Sequence, residues 1–342
     1  MQSKVLHVGS GVINGVADVL DSVGITDKVL YVSDVNVDKL YGKKIKEQIN
    51  RGWAYEEVLI TENSIKYADN LAEKIVREDI NCVIGMGGGS VLDVCKYATY
   101  TTGKQLLSIP TTAANDGIAS PIAVLKQEDG KPKSLTCCMA PMLLIDTEVL
   151  TNAPVQLIKA GIGDILSNYV ALMDWELACS RGKEQMNRYA YLMSKNAYET
   201  LLRAKHSVIC VEFVEELVNA HILSGIAMEF AQSTRAVSGS EHLFSHALDF
   251  FSNVKNLHGI QTGLGTIAVM KLLGKDYAEL MDCFRRYKVE LNPEKLGIGE
   301  DTFVYCMQHA VEIRQNRYTY LHEADLSDKH LRDIYRKLVN EI

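Results

Sequence analysis

The sequence lacks the features that mark secreted, membrane-bound or finger-type proteins. Its eight cysteines form no C-x-x-C pair and no zinc-finger spacing, which favours reduced, mostly buried thiols over a disulfide framework. No run approaches the roughly 18 apolar residues of a membrane span. The N-terminus "MQSKVLHVGSGVINGV" has no charged segment followed by an apolar one. We therefore expect a soluble, cytoplasmic protein with no membrane partner.

The sequence also lacks a basic tract and has little proline. The net charge is −7, and no basic tract offsets it, which argues against a nucleic-acid partner. Proline occurs six times in 342 residues, and only Pro154 and Pro293 lie beyond residue 150. Because proline interrupts helices, its scarcity in the second half favours long helices there.

The two halves of the chain carry different hydrophobic patterns. Up to about residue 150, short apolar runs typical of buried strands alternate with amphipathic helical stretches. The strand-like runs lie at residues 28–34, 81–89, 105–111 and 141–147, and the helical stretches between the first two at 37–49 and 64–79. This alternation indicates parallel strands joined by crossover helices. We predict an α/β domain over residues 1–150 and an all-helical domain over residues 151–342.

A glycine-rich turn, "GMGGGSVLDVCKYAT", follows one predicted strand and opens a helix. Gly87, Gly88 and Gly89 would let the backbone approach a pyrophosphate at the helix N-terminus. The spacing differs from G-x-G-x-x-G, so a plain tight turn is the alternative. Asp34 ends an earlier strand, where it would either bind a ribose diol and repel a 2′-phosphate or cap a helix.

The stretch "SGSEHLFSHALDFFSNVKNLHG" contains three of the nine histidines. His242 and His246 are four residues apart and share a helix face. His258 lies sixteen residues beyond His242, about 24 Å along a straight helix, so both could bind one ion only if the chain reverses between them. Ser252, Asn253 and Asn256 permit such a turn. The alternative is that the pair faces a core or a polar surface.

Longer motifs carry a family resemblance. They are "GMGGGSVLDVCKYAT", "PTTAANDGIASP", "GIGDILSNYVALMDWELA", "SGSEHLFSHALD" and "LHGIQTGLGTI". Through them the chain resembles the sn-glycerol-1-phosphate dehydrogenases, within the superfamily of glycerol dehydrogenase, iron-containing alcohol dehydrogenases and dehydroquinate synthase. The resemblance runs most of the length. It implies a dehydroquinate synthase-like fold: an α/β N-terminal dinucleotide-binding domain, an all-α C-terminal domain, and a divalent metal in the cleft between them.

The resemblance also implies a metal centre. Its ligands would be Asp164 of "GIGDIL", His242 and His258, and His246 would be an active-site histidine that does not bind the metal. We expect zinc, and nickel or iron would suit the same donor types. Three protein ligands leave a coordination position open to a substrate oxygen.

A cofactor site follows from the same resemblance. The implied cofactor is NAD, with NADP as the alternative. The implied cofactor-binding residues are Asp34, Gly87, Gly88, Gly89, Ser90, Thr111, Thr112 and Ser120. Asp116 would point towards the substrate hydroxyls, and its alternative role is to cap the turn at Gly117. Asp93 and Lys96, three residues apart on the helix after the glycines, have the spacing of a surface ion pair.

The expected reaction is hydride transfer between NAD(P)H and the C2 carbonyl of glycerone phosphate, giving sn-glycerol 1-phosphate. The alternatives are a dehydrogenase for an unphosphorylated polyol such as glycerol, a dehydroquinate-synthase-like cyclase, and a binding protein without turnover. Only a phosphate-binding cluster separates the expected glycerone phosphate reductase from a polyol dehydrogenase. Arg235 is the best candidate for that cluster, and the alternative is that it is a surface or structural arginine. We expect a small-molecule substrate, a triose phosphate or a polyol, and a homo-oligomer.

The sequence departs from the family pattern beside two of the motifs. Ile260 stands where the family usually has a glutamate after His-Gly, and "RAVSG" replaces Arg-Pro-Ala-Ser-Gly. Neither change removes an implied ligand. A lost glutamate beside a ligand could alter the hydrogen bonds around the metal, and with them metal affinity or substrate choice.

Overall fold

The computed structural model describes residues 5–342. The chain divides into two compact units. The first unit ends at Pro154, and the second runs from Val155 to Ile342 together with the short segment Ala114–Asp116.

The first unit is built on a parallel sheet. Its strands are β1 (Val5–Gly9), β2 (Val29–Ser33), β3 (Tyr55–Leu59), β4 (Cys82–Gly87), β5 (Gln105–Pro110), β6 (Ile122–Lys126), β7 (Pro132–Thr136) and β8 (Met142–Asp146). Six of these strands pair in parallel in the order β1-β8-β5-β4-β2-β3, and β6 and β7 form a separate antiparallel hairpin. The α/β architecture predicted for this half is confirmed.

Helices connect these strands. They are α1 (Val16–Ser22), α2 (Val35–Val37), α3 (Lys43–Ile49), α4 (Ile65–Arg77), α5 (Gly89–Thr102) and α6 (Thr147–Thr151), with a π-helical segment, Asp38–Gly42, joining α2 to α3. Part of the core lies where sheet residues such as Tyr31, Ile84 and Leu144 cluster with Leu20 of α1 and Ile49 of α3. The crossover helices thus cover the apolar strands, as a parallel sheet requires.

The second unit is helical. Its helices are α7 (Val155–Ser180), α8 (Arg188–Leu202), α9 (Val211–Ala231), α10 (Ser240–Phe251), α11 (His258–Leu272), α12 (Ala278–Arg286), α13 (Glu300–His309) and α14 (Asp328–Glu341). Every regular element in the described stretch from Val155 to Ile342 is a helix, which confirms the all-α expectation.

The helices and the cysteines of the described residues bear on two predictions from the sequence. None of the described helices has the length and apolar character needed to cross a bilayer. All eight cysteines are free thiols, and those buried are Cys82, Cys95, Cys137, Cys283 and Cys306. The expectation of reduced, mostly buried thiols is therefore met.

Candidate active site

Three ligand-type side chains from three helices meet in the second unit. Asp164 of α7, His242 of α10 and His258 of α11 each place one donor atom within 4.8 Å of the others. The Oδ1 atom of Asp164 is 3.9 Å from Nε2 of His242 and 3.7 Å from Nε2 of His258. Donors about 2.1 Å from a tetrahedral ion lie roughly 3.4 Å apart, so a small closure would bring these three around one cation.

Two glycines let the helices that carry Asp164 and His258 approach closely. A Cβ atom at Gly163 would lie 1.9 Å from the carbonyl oxygen of Gly259, and one at Gly259 would lie 1.8 Å from that of Ala160. No side chain fits at either position, so α7 and α11 meet backbone to backbone. Because Asp164 follows Gly163 and His258 precedes Gly259, this contact brings the carboxylate and the imidazole together.

The chain reverses between the two ligand histidines. Helix α10 ends at Phe251 and α11 begins at His258, so residues 252–257 form the connection. The Ser252 hydroxyl oxygen accepts a hydrogen bond from the Val254 amide at 3.2 Å, and the Asn256 side-chain amide donates to the Leu296 carbonyl at 2.9 Å. The turn that the sixteen-residue spacing demanded is therefore present.

Hydrogen bonds at Nδ1 orient both imidazoles. The Nδ1 atom of His242 is 2.8 Å from Oε1 of the fully buried Glu241. The Nδ1 atom of His258 is 3.1 Å from the Ser245 hydroxyl, which itself donates to Gln261 Oε1 at 2.7 Å. The carboxylate and the engaged hydroxyl act as acceptors, so each Nδ1 carries the proton and each Nε2 keeps its lone pair. This is the tautomer that a metal-binding histidine needs.

The electrostatics of the three side chains also suit a cation. Burial raises the pKa of Asp164 well above its usual value, with the charges of Asp116 and Glu241 acting in the same direction. Burial is also the main cause that lowers the pKa of His242 and of His258 to about 3. The imidazoles are therefore neutral at physiological pH, the form that binds metal. A divalent cation would stabilise the buried carboxylate, so the donor set fits one.

His246 and Asp116 lie next to this set without joining it. The His246 ring centroid is 5.7 Å from that of His258 and 6.1 Å from that of His242. Burial is the main cause that lowers its pKa well below the usual value, so this ring is neutral too. The Asp116 backbone amide donates to Asp164 Oδ2 at 2.9 Å. Sequence reasoning assigned Asp116 only a side-chain role and missed this backbone contact, for which the sequence carries no signal.

The residues expected to bind the cofactor gather at one edge of the sheet in the first unit. Strands β2, β4 and β5 are parallel neighbours, so their carboxyl ends share this edge. The side chains and glycines there are Asp34 after β2, Gly87, Gly88, Gly89 and Ser90 from β4 into α5, and Thr111 and Thr112 after β5. We call these residues the nucleotide edge. Crevices outside the carboxyl ends of parallel strands are where dinucleotides bind in α/β sheets.

The glycines of the nucleotide edge hold the backbone tightly around the start of α5. A Cβ atom at Gly87 would lie 2.5 Å from Val91 Cγ2, so only glycine fits without a shift. At Gly88, the N-cap of α5, a Cβ atom would make only ordinary contacts with the Thr112 side chain, at 3.6 Å from Oγ1 and 3.8 Å from Cγ2. The free amide groups of the first helical turn are therefore not covered by a side chain at this position, which suits an approaching phosphate.

Asp34 and Ser120 have structural contacts of their own. The Asp34 Oδ1 atom accepts hydrogen bonds from the amides of Asn36 at 2.9 Å and Val37 at 3.1 Å, so this residue caps α2. One carboxylate oxygen can cap while the other faces a ligand, and capping therefore does not exclude a ribose contact. Ser120 is buried, and its hydroxyl oxygen accepts from the Ile122 amide at 3.1 Å in the turn before β6.

Comparisons with known proteins identify relatives of the whole chain. A family model described as iron-containing alcohol dehydrogenase matches residues 7–154. The chain is 35% identical to a glycerol-1-phosphate dehydrogenase (NAD(P)+) of Hyperthermus butylicus over 94% of this chain and 92% of that protein. It is 33% identical to the protein so named from Thermococcus kodakarensis, over 92% and 90%. The chain belongs to the glycerol-1-phosphate dehydrogenase family.

Solved structures of other dehydrogenases have a fold similar to that of this family member. A probable glycerol dehydrogenase of Sinorhizobium meliloti superposes with a TM-score of 0.76 at 20% identity, covering 98% of this chain and 96% of that one. Glycerol dehydrogenase of Schizosaccharomyces pombe gives 0.79 at 19% identity, covering 99% and 89%. At these identities the likeness concerns architecture, and it confirms the expected α/β and all-α arrangement.

In this glycerol-1-phosphate dehydrogenase homologue, the structure excludes one alternative for the helix after the glycine-rich turn. Lys96 and Asp93 are buried and 2.8 Å apart, so they are not a surface ion pair. Lys96 also donates to the Ile122 carbonyl at 2.5 Å, and Asp93 accepts from the Val124 amide at 3.1 Å. The pair therefore connects α5 to β6 through hydrogen bonds. A spacing of three residues on one helix cannot predict this long-range contact.

Arg235 has the structural role that the sequence left open. Its side chain is buried, with Nε 2.9 Å from Glu184 Oε2 and Nη2 donating to the carbonyls of Asp174 at 2.9 Å and Tyr318 at 2.5 Å. Because the side chain is buried and its Nε and Nη2 atoms already contact a carboxylate and two carbonyls, Arg235 is poorly placed to recognise a phosphate. Sequence reasoning missed two other arginines, Arg314 and Arg317, whose charges act on the histidine cluster.

Proposed function

We propose that this protein is a metal-dependent oxidoreductase that transfers hydride between NAD(P)H and the C2 carbonyl of glycerone phosphate, forming sn-glycerol 1-phosphate. The observation that carries the chemistry is the convergence of Asp164, His242 and His258 on one point. Family membership, established by relatives that share this chain's length, supports the substrate and the cofactor.

Asp164, His242 and His258 would hold the metal, with zinc expected and nickel or iron suited to the same donors. When bound, the cation supplies Lewis-acid polarisation of the substrate carbonyl. Residues around the ligands preorganise them. Glu241 and Ser245 hold the imidazoles in the ligand tautomer, and the Asp116 amide orients the Asp164 carboxylate.

His246 and the Asp116 side chain are the proposed catalytic groups. Reduction of a ketone consumes a proton as well as a hydride, so the site needs a group that can orient the substrate or pass on a proton. His246 is a titratable side chain one helical turn from His242, in ring contact with both ligand histidines and outside the ligand group. Asp116 is placed by its own amide contact with Asp164, and its carboxylate would meet the substrate hydroxyls.

The nucleotide edge would hold the cofactor. Gly87, Gly88, Gly89 and Ser90 would contact the pyrophosphate through backbone amides at the start of α5. Thr111, Thr112 and Ser120 would lie towards the nicotinamide, and Asp34 would accept hydrogen bonds from the ribose of NAD. We further propose a cytoplasmic homo-oligomer without nucleic-acid or membrane partners, which the reduced thiols and the net charge of −7 support.

The decisive experiment is NADH oxidation by the purified, metal-loaded protein with glycerone phosphate, dihydroxyacetone and glyceraldehyde 3-phosphate side by side. Glycerone phosphate should be reduced best, and chiral analysis of the product should show the sn-1 isomer. Preferential reduction of dihydroxyacetone would instead identify a polyol dehydrogenase. Absence of NADH oxidation with all three, in protein shown to contain metal, would refute the proposed reaction.

A further inference from the structure

Two arginines and a threonine form a cluster that the proposed chemistry leaves unused. Arg314 Nη1 donates to the Thr234 hydroxyl oxygen at 3.2 Å, and Arg317 Nη2 donates to the same oxygen at 2.9 Å. We call Thr234, Arg314 and Arg317 the arginine cluster. Two guanidinium groups therefore share one hydroxyl oxygen, an arrangement that brings like charges close together.

Hydrogen bonds link this cluster to the ligand helix α10. Arg317 Nη1 donates to the Ser238 carbonyl, immediately before Gly239. The Gly239 amide donates to Glu241 Oε1 at 2.7 Å, and the same carboxylate oxygen holds His242 Nδ1. A short series of hydrogen bonds thus connects the arginine cluster to the candidate metal ligand His242.

Electrostatics place the cluster within range of all three histidines. Burial is the main cause of their low pKa values, and the charge of Arg314 lowers the pKa of His242, His246 and His258 further. Arg317 acts in the same direction on His242 and His246. The hydrogen-bonded path from Arg317 through Ser238 and Gly239 to Glu241 and His242 places an anion held by these guanidinium groups close to a molecule bound at the histidines.

The positive charge of Arg317 is only partly compensated. Among the described residues Arg317 forms no ion pair within 4 Å, and burial together with the charge of Arg314 lowers its pKa to about 9. Two carboxylates, Glu184 and Glu241, act against this lowering of the Arg317 pKa. Of these, Glu184 already forms an ion pair with Arg235. Because crowded guanidinium groups repel each other in a partly buried site, a bound anion would stabilise them.

The donors of the cluster match a phosphate group. Guanidinium groups present N–H donors in a planar fork that pairs with phosphate oxygens. The Thr234 oxygen accepts from both arginines, so its own O–H remains a donor. Arg314 and Arg317 are partly exposed, whereas Arg235 is buried, so a ligand can reach the cluster.

We propose that the arginine cluster binds the phosphate group of the substrate, with Arg314 and Arg317 as its cationic donors and Thr234 as its neutral one. This inference rests on the proposed function and deepens it, because it identifies the residues that would favour glycerone phosphate over dihydroxyacetone. It also replaces Arg235 as the source of phosphate recognition. The cluster would fix the phosphate end of the substrate while the carbonyl end lies at the histidines.

The test compares Arg314→Gln with a matched surface variant, Arg336→Gln, using glycerone phosphate and dihydroxyacetone as substrates. Loss of a charge-assisted phosphate contact should raise KM for glycerone phosphate on the order of 100-fold, with kcat changed far less. The kcat/KM for dihydroxyacetone should stay within about threefold of the parent value, since that substrate has no phosphate. Arg336→Gln should change neither value.

A second measurement uses inorganic phosphate alone. Phosphate should inhibit the unmodified protein competitively with glycerone phosphate and inhibit Arg314→Gln more weakly. Arg314→Lys keeps the charge and the packing of the stem, so it should fold even if the glutamine variant does not, and it should show an intermediate KM.

Several outcomes would overturn the inference. Equal losses with both substrates would mark Arg314 as a structural residue, as would unchanged phosphate inhibition in a folded variant. If the unmodified protein fails to use glycerone phosphate, the proposed function itself is wrong. Calorimetric binding of inorganic phosphate to the unmodified protein and to folded Arg314→Gln then decides the cluster separately, because equal affinities would refute it.

Discussion

The nucleotide edge and the proposed metal-ligand set differ in which atoms form them. At the nucleotide edge, glycines leave the backbone bare at the start of α5, and a Cβ atom at Gly87 would lie 2.5 Å from Val91. In the ligand set, buried side chains converge, and hydrogen bonds to Glu241 and Ser245 hold the imidazoles. A site built from backbone should fail when atoms are added, and a site built from side chains should fail when atoms are removed.

Removal of a ligand side chain should have the largest effect. We expect Asp164→Ala, His242→Ala and His258→Ala each to lose the metal and to lower the rate at least about 1000-fold, because a Lewis acid lowers the activation barrier by several kcal/mol. Circular dichroism should show the parent helix content, since the ligands cluster on preformed helices. Elemental analysis of the purified variants measures the metal, and full occupancy in His258→Ala would show that the ligand set is wrong.

His246→Ala separates ligands from neighbours within the same cluster. It should retain the metal at parent stoichiometry and lose roughly 100-fold in kcat or more, because its proposed role is orientation or proton transfer. Steady-state kinetics and elemental analysis on one preparation would show both effects. Loss of the metal together with the rate would move His246 into the ligand set.

Weakening the hydrogen bonds that orient the candidate ligand histidines should lower metal affinity by less than removing a ligand does. Glu241→Gln keeps an acceptor for His242 Nδ1 but removes its charge, and we expect metal affinity to fall by about 10- to 100-fold. Ser245→Ala should cost less, because the hydrogen bond it removes is neutral and longer, 3.1 Å against 2.8 Å. Competition with a chromophoric chelator measures both affinities. The reverse order would mean that His258 depends on its support more than His242.

Adding a single methyl group should impair the nucleotide edge. Gly87→Ala must displace Val91, so we expect a loss of about 1–3 kcal/mol in the free energy of unfolding. The same shift should weaken NADH binding by roughly tenfold, since the amides at the start of α5 move with it. Gly52→Ala is the control, because a Cβ atom there meets nothing within 4 Å. Fluorescence titration with NADH and chemical denaturation report the two effects, and unchanged NADH affinity in Gly87→Ala would locate the cofactor elsewhere.

The smallest expected effect concerns the choice of nicotinamide cofactor. The protein should prefer NADH to NADPH, because the Asp34 carboxylate would oppose a 2′-phosphate of the same sign. Asp34→Asn keeps a good cap for α2 while removing the charge, whereas Asp34→Gly removes both. Both variants should shift the NADPH-to-NADH ratio of kcat/KM by about tenfold, through affinity for NADPH rather than maximal rate. Equal use of both cofactors by the unmodified protein would leave Asp34 as a helix cap alone.

The strands that could be predicted from the sequence are the central ones. The four predicted runs correspond to β2, β4, β5 and β8, which occupy the middle of the sheet, while the unpredicted β1 and β3 are its edges. All residues of β2, β4 and β8 are buried, whereas those of β1 and β3 are intermediate or exposed. Burial on both faces demands a continuous apolar run, and an edge strand has no such requirement.

The sequence by itself determined the alternation that produces the α/β unit, the helical texture of the second unit, and the histidines and turn residues of "SEHLFSHALDFFSN". These features are local, because hydrophobic period and turn chemistry depend on near neighbours. Only the tertiary structure decided which arginine is buried beside Glu184 and which two converge on the Thr234 hydroxyl. Arg235 and Arg317 are 82 residues apart in the chain and look alike in sequence. Their roles differ because long-range packing alone sets the partners and the solvent exposure of each guanidinium group.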